Sequence, residues 1–165
     1  MKIIKPYLII ETPIDGEYIL KQIEKAGRTA YKTEDKITTD SAKKFVKKIL
    51  DMGHKSVIEH YNITVRVICD RGVTHEIVRH RIASYTQEST RYCNYAKGKF
   101  GGEIAVIKPC FWDSDSEKDK KKYEIWEDAM KSAEKAYLEL IRLGASPQEA
   151  RSVLPNSLKT EIVMT

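Results

Sequence analysis

Apolar residues recur at helical spacing in two early segments of the chain. Residues 16–26 show the pattern of an amphipathic helix that ends at Gly27, with apolar positions Tyr18, Ile19, Ile23 and Ala26. A second helix is predicted from about Ser41 to a stop at Gly53, because one stripe contains Ala42, Phe45, Val46, Ile49 and Leu50. The polar segment 31–39 between the two helices predicts a loop.

Strand patterns occur at four places. Residues 61–69 alternate, with Ile63, Val65, Val67 and Cys69 on one face and Asn62, Thr64 and Arg66 on the other, which predicts a half-buried strand. Shorter strands are predicted at 7–12 and 104–107, and residues 158–165 are expected to be extended.

The second half of the chain predicts three more helices. One runs over 73–84, and the charge run at 113–122 predicts an exposed loop that leads into the next. That next helix has apolar residues three and four apart, at Tyr123, Trp126, Met130, Ala133, Tyr137 and Leu140, and ends at Gly144. Ser146-Pro147-Gln148-Glu149 is a capping box that begins the last helix, which stops near Pro155. The elements predict an α/β (α+β) fold in a single domain over 1–165.

Composition narrows the class of protein. A chain of 165 residues with 41% hydrophobic and 32% charged residues suits one globular domain. No apolar run approaches the roughly 18 residues that span a membrane, and the N-terminus lacks a small-residue cleavage site, so we expect a cytoplasmic protein with no membrane partner. The net charge of +5 allows anions to bind without demanding nucleic acid. Three cysteines without CxxC spacing argue against a disulfide framework or a cysteine-based zinc site.

One arginine is anomalous on the predicted helix over 73–84. On an ideal helical wheel Arg81 lies about 40° from Ile77, inside the apolar arc that also contains Val73, Val78 and Ile82. A buried guanidinium needs an anionic partner, because an unpaired buried charge costs several kcal/mol. That partner is either an internal carboxylate or a bound phosphate, which suits the bidentate fork of arginine.

The segment SYTQESTRYCNY (84–95) follows this helix and is rich in hydrogen-bond donors and acceptors. It offers the groups that a polar heterocycle with a phosphate requires. On composition alone, a polar surface turn is the slightly favoured explanation of the segment.

Several motifs resemble known sites without matching them. HEIVRH (75–80) departs from H-E-x-x-H, because its histidines are about 140° apart on a helix and cannot bind one metal ion. A metal site in GHKSVIEH (53–60) stays open, although locally hydrogen-bonded histidines are commoner. Cys93 has no activating neighbour in sequence, which favours a structural thiol. The chain has neither G-x-G-x-x-G nor a Walker lysine loop, so a dinucleotide would not use a Rossmann turn.

Arg79-His80-Arg81 followed by seven residues and Ser89 resembles the signature of the flavin-dependent thymidylate synthases. Four colinear blocks extend the resemblance over almost the whole chain: AGRTAYKTEDKIT (26–38), GHKSVIEH (53–60), HEIVRHRIASYTQESTRY (75–92) and EARSVLP (149–155). The resemblance implies the thymidylate synthase-complementing protein fold, with a central, mostly antiparallel sheet flanked by helices. It also implies a homotetramer with active sites at subunit junctions around FAD. Members make dTMP from dUMP with methylenetetrahydrofolate as carbon donor and NADPH as reductant, without a metal and without an enzyme cysteine.

The same resemblance implies roles for individual residues. It assigns FAD binding to Ser56, Arg79, His80, Arg81 and Gln87. It assigns dUMP binding to Glu76, Arg79, Gln87, Ser89, Arg91 and Arg151. His54 matches a residue close to the flavin and the folate. Ser89 is assigned to binding rather than to nucleophilic attack, because no base stands beside it in sequence.

Family members usually continue beyond the EARSVLP helix by about a third of this length. That further part carries an N-x-R flavin contact and an arginine that polarises the uracil. We therefore expect a chain truncated at its C-terminus relative to the family, with catalytic residues outside it. Two alternatives to an active synthase stay open: an inactive homologue, and a nucleotide- or RNA-binding module that stacks bases on Tyr85, Tyr92 and Tyr95.

Overall fold

The computed structural model describes residues 1–112 and 114–165 and divides into two compact units. The first, here called the sheet unit, contains Met1–Ile9 and Val65–Thr165. The second, the helical unit, contains Ile10–Thr64. In chain order the strands are β1 (Lys2–Ile4), β2 (Tyr7–Ile10), β3 (Val65–Asp70), β4 (Tyr85–Gln87), β5 (Ala105–Ile107) and β6 (Lys159–Met164). The helices are α1 (Gly16–Thr29), α2 (Ser41–Asp51), α3 (Arg71–Ile77), α4 (Glu117–Arg142) and α5 (Pro147–Ala150).

The main sheet has four strands in the order β2-β3-β6-β4. Strand β6 is antiparallel to both of its neighbours. Ile68 of β3 lies opposite Glu161 of β6, and Gln87 of β4 lies opposite Ile162 of β6. A separate parallel pair joins β1 to β5. The predicted α/β (α+β) fold with a mostly antiparallel sheet is confirmed, and the extended segment predicted at 158–165 is strand β6.

The alternation predicted over residues 61–69 is wrong about which residues of β3 are buried. The strand begins at Val65, and its two buried residues, Ile68 and Cys69, are adjacent, whereas Ile63 is 45% exposed. Adjacent residues of a strand point to opposite faces. Both faces of β3 are therefore covered at this end of the strand, which a simple alternation could not show.

The long helix α4 provides most of the helical side of the sheet unit's core. Its stripe is confirmed, because Trp126, Met130 and Tyr137 are buried together with Ile104, Val106, Ala150 and Leu158. The helix begins at Glu117, so most of the charge run predicted as a loop is helical, and Asp113 in that run lies outside the described residues. Ser116 caps it by accepting a hydrogen bond from the backbone N–H of Asp119. The predicted stop at Gly144 and the capping box of Ser146 and Glu149 are both present.

The helical unit packs α1 on α2 around Ile23, Val46 and Ile49. Gly27 does not end α1 as predicted, because the helix runs on to Thr29. A Cβ at Gly27 would lie 2.7 Å from the ring of Phe45, so the glycine allows the two helices to approach closely. None of the described helices combines the length and the apolar composition required to cross a membrane.

Candidate functional site

The Arg79-His80-Arg81 segment lies in an exposed turn and not in a helix. Helix α3 ends at Ile77, and the backbone N–H groups of Arg79 and His80 donate to carbonyls three residues earlier. Arg81 is exposed. The prediction of a buried Arg81 on a helix over 73–84 is wrong, because the helical wheel does not apply beyond Ile77.

Arg79, the first residue of this turn, forms a weak ion pair. Arg79 Nη1 lies 3.1 Å from Glu76 Oε2, with the side chains 75% and 73% exposed. Solvent screens such a pair, so it holds neither partner firmly. Arg79 is therefore free to exchange the carboxylate for another anion.

Tyr85 and Ile82 shape the turn. The Tyr85 hydroxyl lies 2.7 Å from the carbonyl oxygen of His80 and 3.1 Å from that of Ile77, so it fixes the turn against the end of α3. Ile82 has a φ of +53° and is fully exposed. A β-branched residue in this left-handed region is strained. The turn thus presents an apolar side chain beside three cationic or titratable ones, a feature without a clear signal in the sequence.

Gln87 is held from both sides on β4. Its Nε2 donates to Thr74 Oγ1 of α3 at 2.9 Å and to Thr160 Oγ1 of β6 at 3.3 Å. Both threonines are buried, and Thr74 in turn donates to the carbonyl of Arg71. The amide orientation is therefore fixed, and within the described part of the chain Oε1 has no hydrogen-bond partner. Sequence patterns did not single out either threonine.

A charged network supports the segment that follows Gln87. Glu88 accepts from Tyr95 Oη at 2.9 Å and from Lys159 Nζ at 3.1 Å, and Lys159 also contacts Glu161 at 2.5 Å. Burial disfavours the charged form of Lys159, but the hydrogen bonds to Glu161 and Glu88 outweigh it and raise the pKa of the ammonium. The bond from Lys159 lowers the pKa of Glu161. In the sequence, Glu88 belongs to the polar segment 84–95, whereas no motif marks Lys159.

The loop over Ser89–Arg91 meets Arg151 from a distant part of the chain. Thr90 is buried, and its Oγ1 lies 3.5 Å from Arg151 Nη1, at the outer limit of a hydrogen bond. The Ser89 carbonyl accepts from Cys93 N at 2.9 Å, and Ser89 Oγ from Arg91 N at 3.3 Å. Arg151 follows α5 directly, so the capping box at Ser146 positions it.

His54 and Ser56 belong to the helical unit. Gly53, at φ +76°, ends α2 in a Schellman motif, in which its N–H donates to Leu50 O and that of His54 to Ile49 O. His54 therefore leaves the helix at a fixed position, and Ser56 follows in the 3₁₀ turn Lys55–His60. Both side chains are exposed.

Neither Cys69 nor Cys93 is an activated thiol. Burial raises the pKa of Cys69 to about 11, and burial and Glu88 raise that of Cys93, so both stay protonated at neutral pH. No three His, Cys, Asp or Glu side chains of the described residues are grouped to hold a metal ion.

The sheet unit brings Glu76 to Arg79, Gln87 to Thr74, and Arg151 to the loop at Ser89–Arg91. A cavity of about 450 Å³ is lined in part by Thr86, Gln87, Glu88 and Lys159, and of the predicted site residues Gln87 alone is among its lining residues. Exposed guanidinium groups, a fixed amide and a hydroxyl-bearing loop suit a molecule with a phosphate and a polar ring. These donors also fit the pyrophosphate of a flavin dinucleotide.

Comparison with known proteins shows the family. Residues 17–165 match the family model described as "Thymidylate synthase complementing protein". The chain belongs to this family, and the family inferred from the motifs is confirmed.

Relatives and solved structures agree with this assignment. A flavin-dependent thymidylate synthase from Pyrococcus abyssi is 37% identical over 132 residues, which cover 79% of this chain and 52% of the relative. One from Geobacter sulfurreducens is 33% identical, covering 79% and 53%. The crystal structure of the UMP/dUMP methylase PolB from Streptomyces cacaoi, bound with 5-Br dUMP, superposes with a TM-score of 0.80 at 21% identity, covering 99% of this chain and 74% of that one. That match shows a shared fold. The chain spans about half the length of the curated relatives it matches.

Proposed function

We propose that the protein acts as a flavin-dependent thymidylate synthase, which converts dUMP to dTMP with methylenetetrahydrofolate as carbon donor and NADPH as reductant. The observation that carries the proposal is the meeting of Arg151 with the Ser89–Arg91 loop, close in sequence to the exposed Arg79-His80-Arg81 turn. These groups are the ones that the family motif assigns to nucleotide binding. Relatives with this name are 33% to 37% identical to the chain.

In this proposal the nucleotide is bound mainly through its phosphate. Arg79, Arg91 and Arg151 neutralise the dUMP phosphate, since guanidinium groups bind phosphate in a bidentate manner. Ser89 and the free Oε1 of Gln87 bind the nucleotide's hydroxyl and ring N–H groups, and Glu76 accepts from a further donor. The rigid support of Gln87 by Thr74 favours this assignment, because a fixed amide binds one orientation of a ring better than a mobile one.

FAD is the proposed cofactor, and when bound it supplies the reducing hydride. Ser56, Arg79, His80, Arg81 and Gln87 would hold it. The two arginines and His80 suit its pyrophosphate, and the exposed Ile82 offers apolar contact to a ring system. His54 would lie near the flavin and the folate. The protonated Cys69 and Cys93 fit a reaction that needs no thiolate from these two residues.

The proposed assembly is a homotetramer whose active sites form between subunits, in the cytoplasm. The edge strand β2 supports an assembly, because its four residues Tyr7, Leu8, Ile9 and Ile10 are 45% to 61% exposed. An exposed, apolar edge strand is normally covered by another element or chain.

The structure disfavours the RNA-stacking module. Of the three tyrosines considered for stacking, Tyr95 is 4% exposed and is hydrogen-bonded to Glu88, and Tyr85 is half-buried against the turn. Tyr92, at 77% exposure, is the one member of this trio with an open ring. A continuous stacking platform is therefore not formed by them.

Two experiments on the purified protein test the proposal. Flavin is first sought in the visible absorption spectrum of the protein, and dUMP binding is measured by calorimetry with and without added FAD. dTMP formation is then followed by chromatography with dUMP, methylenetetrahydrofolate, NADPH and FAD present. We expect flavin-dependent dUMP binding. Protein that binds neither FAD nor dUMP while remaining folded would overturn the proposal.

A further inference from the structure

Glu88 lies between Gln87 and Ser89, two residues that the proposed function assigns to dUMP. Its backbone N–H donates to the carbonyl of Glu161 at 2.8 Å, one position beyond the last paired residue of β4. The chain therefore leaves the sheet directly after Glu88, and the loop that follows begins at Ser89. A movement of Glu88 displaces the residues on both sides of it.

The Glu88 carboxylate joins three parts of the sheet unit. Its Oε2 accepts from Lys159 Nζ of β6 at 3.1 Å, and its Oε1 accepts from the Tyr95 hydroxyl at 2.9 Å. Tyr95 lies at the far end of the loop and is buried against Tyr137 in the core. Glu88 thus ties the beginning of the loop to its end, and Lys159 holds this tie to the sheet.

The loop closed in this way carries the proposed nucleotide ligands. Its first residue, Ser89, accepts at its carbonyl from Cys93 N at 2.9 Å, and Thr90 Oγ1 lies 3.5 Å from Arg151 Nη1. The positions of Ser89 and Arg91 relative to Arg151 therefore depend on how the base of the loop is held.

Lys159 and the Gln87 amide lie on opposite faces of the sheet. Adjacent residues of a strand point to opposite faces, and this applies to Gln87 and Glu88 on one side and to Lys159 and Thr160 on the other. Gln87 bonds to Thr160, whereas Glu88 bonds to Lys159. Lys159 therefore acts on Gln87 through the backbone at Glu88, without direct contact.

The Lys159 ammonium also separates two carboxylates. It contacts Glu161 at 2.5 Å in addition to Glu88, and the side chains of Lys159 and Glu88 are only 18% and 12% exposed, so solvent screens their attraction weakly. Without the cation, Glu88 and Glu161 would face each other on neighbouring strands, where like charges repel. Loss of Lys159 should therefore push Glu88, and the start of the loop, away from β6.

We propose that Lys159 is a positioning residue of the nucleotide site, which acts through Glu88 and Tyr95 to hold the loop at residues 89–94 in the geometry that binds dUMP. The proposal rests on the function proposed above and deepens it. The motifs that identify the family include neither Lys159 nor Tyr95. A displacement of about 1 Å in a binding group is enough to cost up to about a hundredfold in function.

Calorimetric titration of dUMP into the protein with FAD present tests the role in binding. Lys159→Met should weaken dUMP binding about tenfold or more, and Tyr95→Phe, which removes only the hydroxyl that Glu88 accepts, about threefold or more. Lys159→Arg keeps the charge and should restore affinity to within about threefold of the parent. The control Lys99→Met removes the same charge from an exposed lysine that lines the same cavity, and should change affinity less than about twofold.

Hydrogen exchange of the Cys93 amide, measured without ligand, reports on the loop itself. This N–H is bonded to the Ser89 carbonyl, so it exchanges when the loop opens. Lys159→Met and Tyr95→Phe should accelerate its exchange about tenfold, whereas Lys99→Met should leave it at the parent's rate. If Lys159→Met does not fold, Tyr95→Phe decides both measurements.

The outcomes separate this proposal from the proposed function. If the parent binds dUMP and the folded Lys159→Met and Tyr95→Phe proteins bind it equally well, Lys159 is structural only, and the positioning role is overturned while the proposed function stands. The same conclusion follows if exchange at Cys93 is unchanged, or if Lys99→Met weakens binding as much as Lys159→Met. A folded parent protein that binds no dUMP overturns both.

Discussion

Gln87 Nε2 donates a 2.9 Å hydrogen bond to Thr74 Oγ1, which joins strand β4 to helix α3, the helix that ends just before the exposed arginine turn. Thr74 is completely buried, and its hydroxyl donates a hydrogen bond to the carbonyl oxygen of Arg71. The residue proposed to orient the nucleotide is thus fixed by a threonine that is not assigned any contact with it.

The Thr74→Val substitution should destabilise the protein. Valine keeps the shape of threonine but leaves the Gln87 amide and the Arg71 carbonyl without this partner, at a cost of about 1–3 kcal/mol. Urea unfolding measures the change, and Thr86→Val, at an exposed position next to Gln87 on strand β4, is the control. Equal stability of the two variants would contradict the importance of the Gln87 contact.

Arg79→Ala should weaken dUMP binding without unfolding the protein. Its ion pair with Glu76 is exposed, so its loss costs little stability. Loss of a charge-assisted bond to phosphate should reduce affinity about tenfold to a hundredfold. Arg142→Ala is the matched control, because Arg142 also forms an exposed pair with a glutamate three residues away. If dUMP affinity is the same in both variants, Arg79 is not a nucleotide ligand.

Lys159→Met should be among the most damaging single changes in the sheet unit. It leaves Glu88 and Glu161 without the cation between them, and Glu88 is only 12% exposed. Removing one partner from a buried charged network costs about 3 kcal/mol or more. The free energy of unfolding in urea measures this, with Lys2→Met, whose lysine is 70% exposed in its pair with Glu103, as control. A loss no larger than the control's would show that the network is dispensable.

The effect of Lys159→Met should also depend on pH. The Lys159 hydrogen bond lowers the pKa of Glu161 below its ordinary value of 4.5, so the stability it contributes is present above that pH and is lost as the pH falls through the folded-state pKa. The parent protein should therefore lose more stability on acidification than the variant. The free energies of unfolding of the parent protein and of the variant, measured at about pH 7 and about pH 3.5, should differ less from each other at the lower pH. A constant difference would exclude Glu161 as the linked group.

Gly27→Ala should destabilise the helical unit, although alanine normally favours a helix by about 1 kcal/mol over glycine. The added Cβ would meet the Phe45 ring at 2.7 Å and Val57 at 3.0 Å, so the helices must separate. Overpacking of this kind costs about 1–3 kcal/mol. Gly16→Ala, which meets nothing within 4 Å, is the control for thermal unfolding. A stabilised Gly27→Ala protein would show that the interface adjusts freely.

The structure explains where sequence patterns succeeded and where they failed. The stop at Gly53 and the capping box at Ser146 are local features, formed by residues within a few positions of each other, and both were predicted correctly. The end of α3 at Ile77 has no glycine or proline to mark it. Tyr85 and the pairing of β4 with β6 stabilise that turn, and β6 lies more than seventy positions further along the chain. The buried Arg81 was predicted because the wheel continued a helix that these distant contacts end.

The sequence by itself determined the family, the main helices and strands, and the residues that the motif assigns to nucleotide and flavin, because those depend on residue identity and local spacing. Only the tertiary structure decided which of these residues meet. It brought Arg151 to Thr90, fixed Gln87 between two buried threonines, and placed the arginine turn at the surface. Such contacts join residues far apart in sequence through packing and hydrogen bonds, and they leave no periodic trace along the chain.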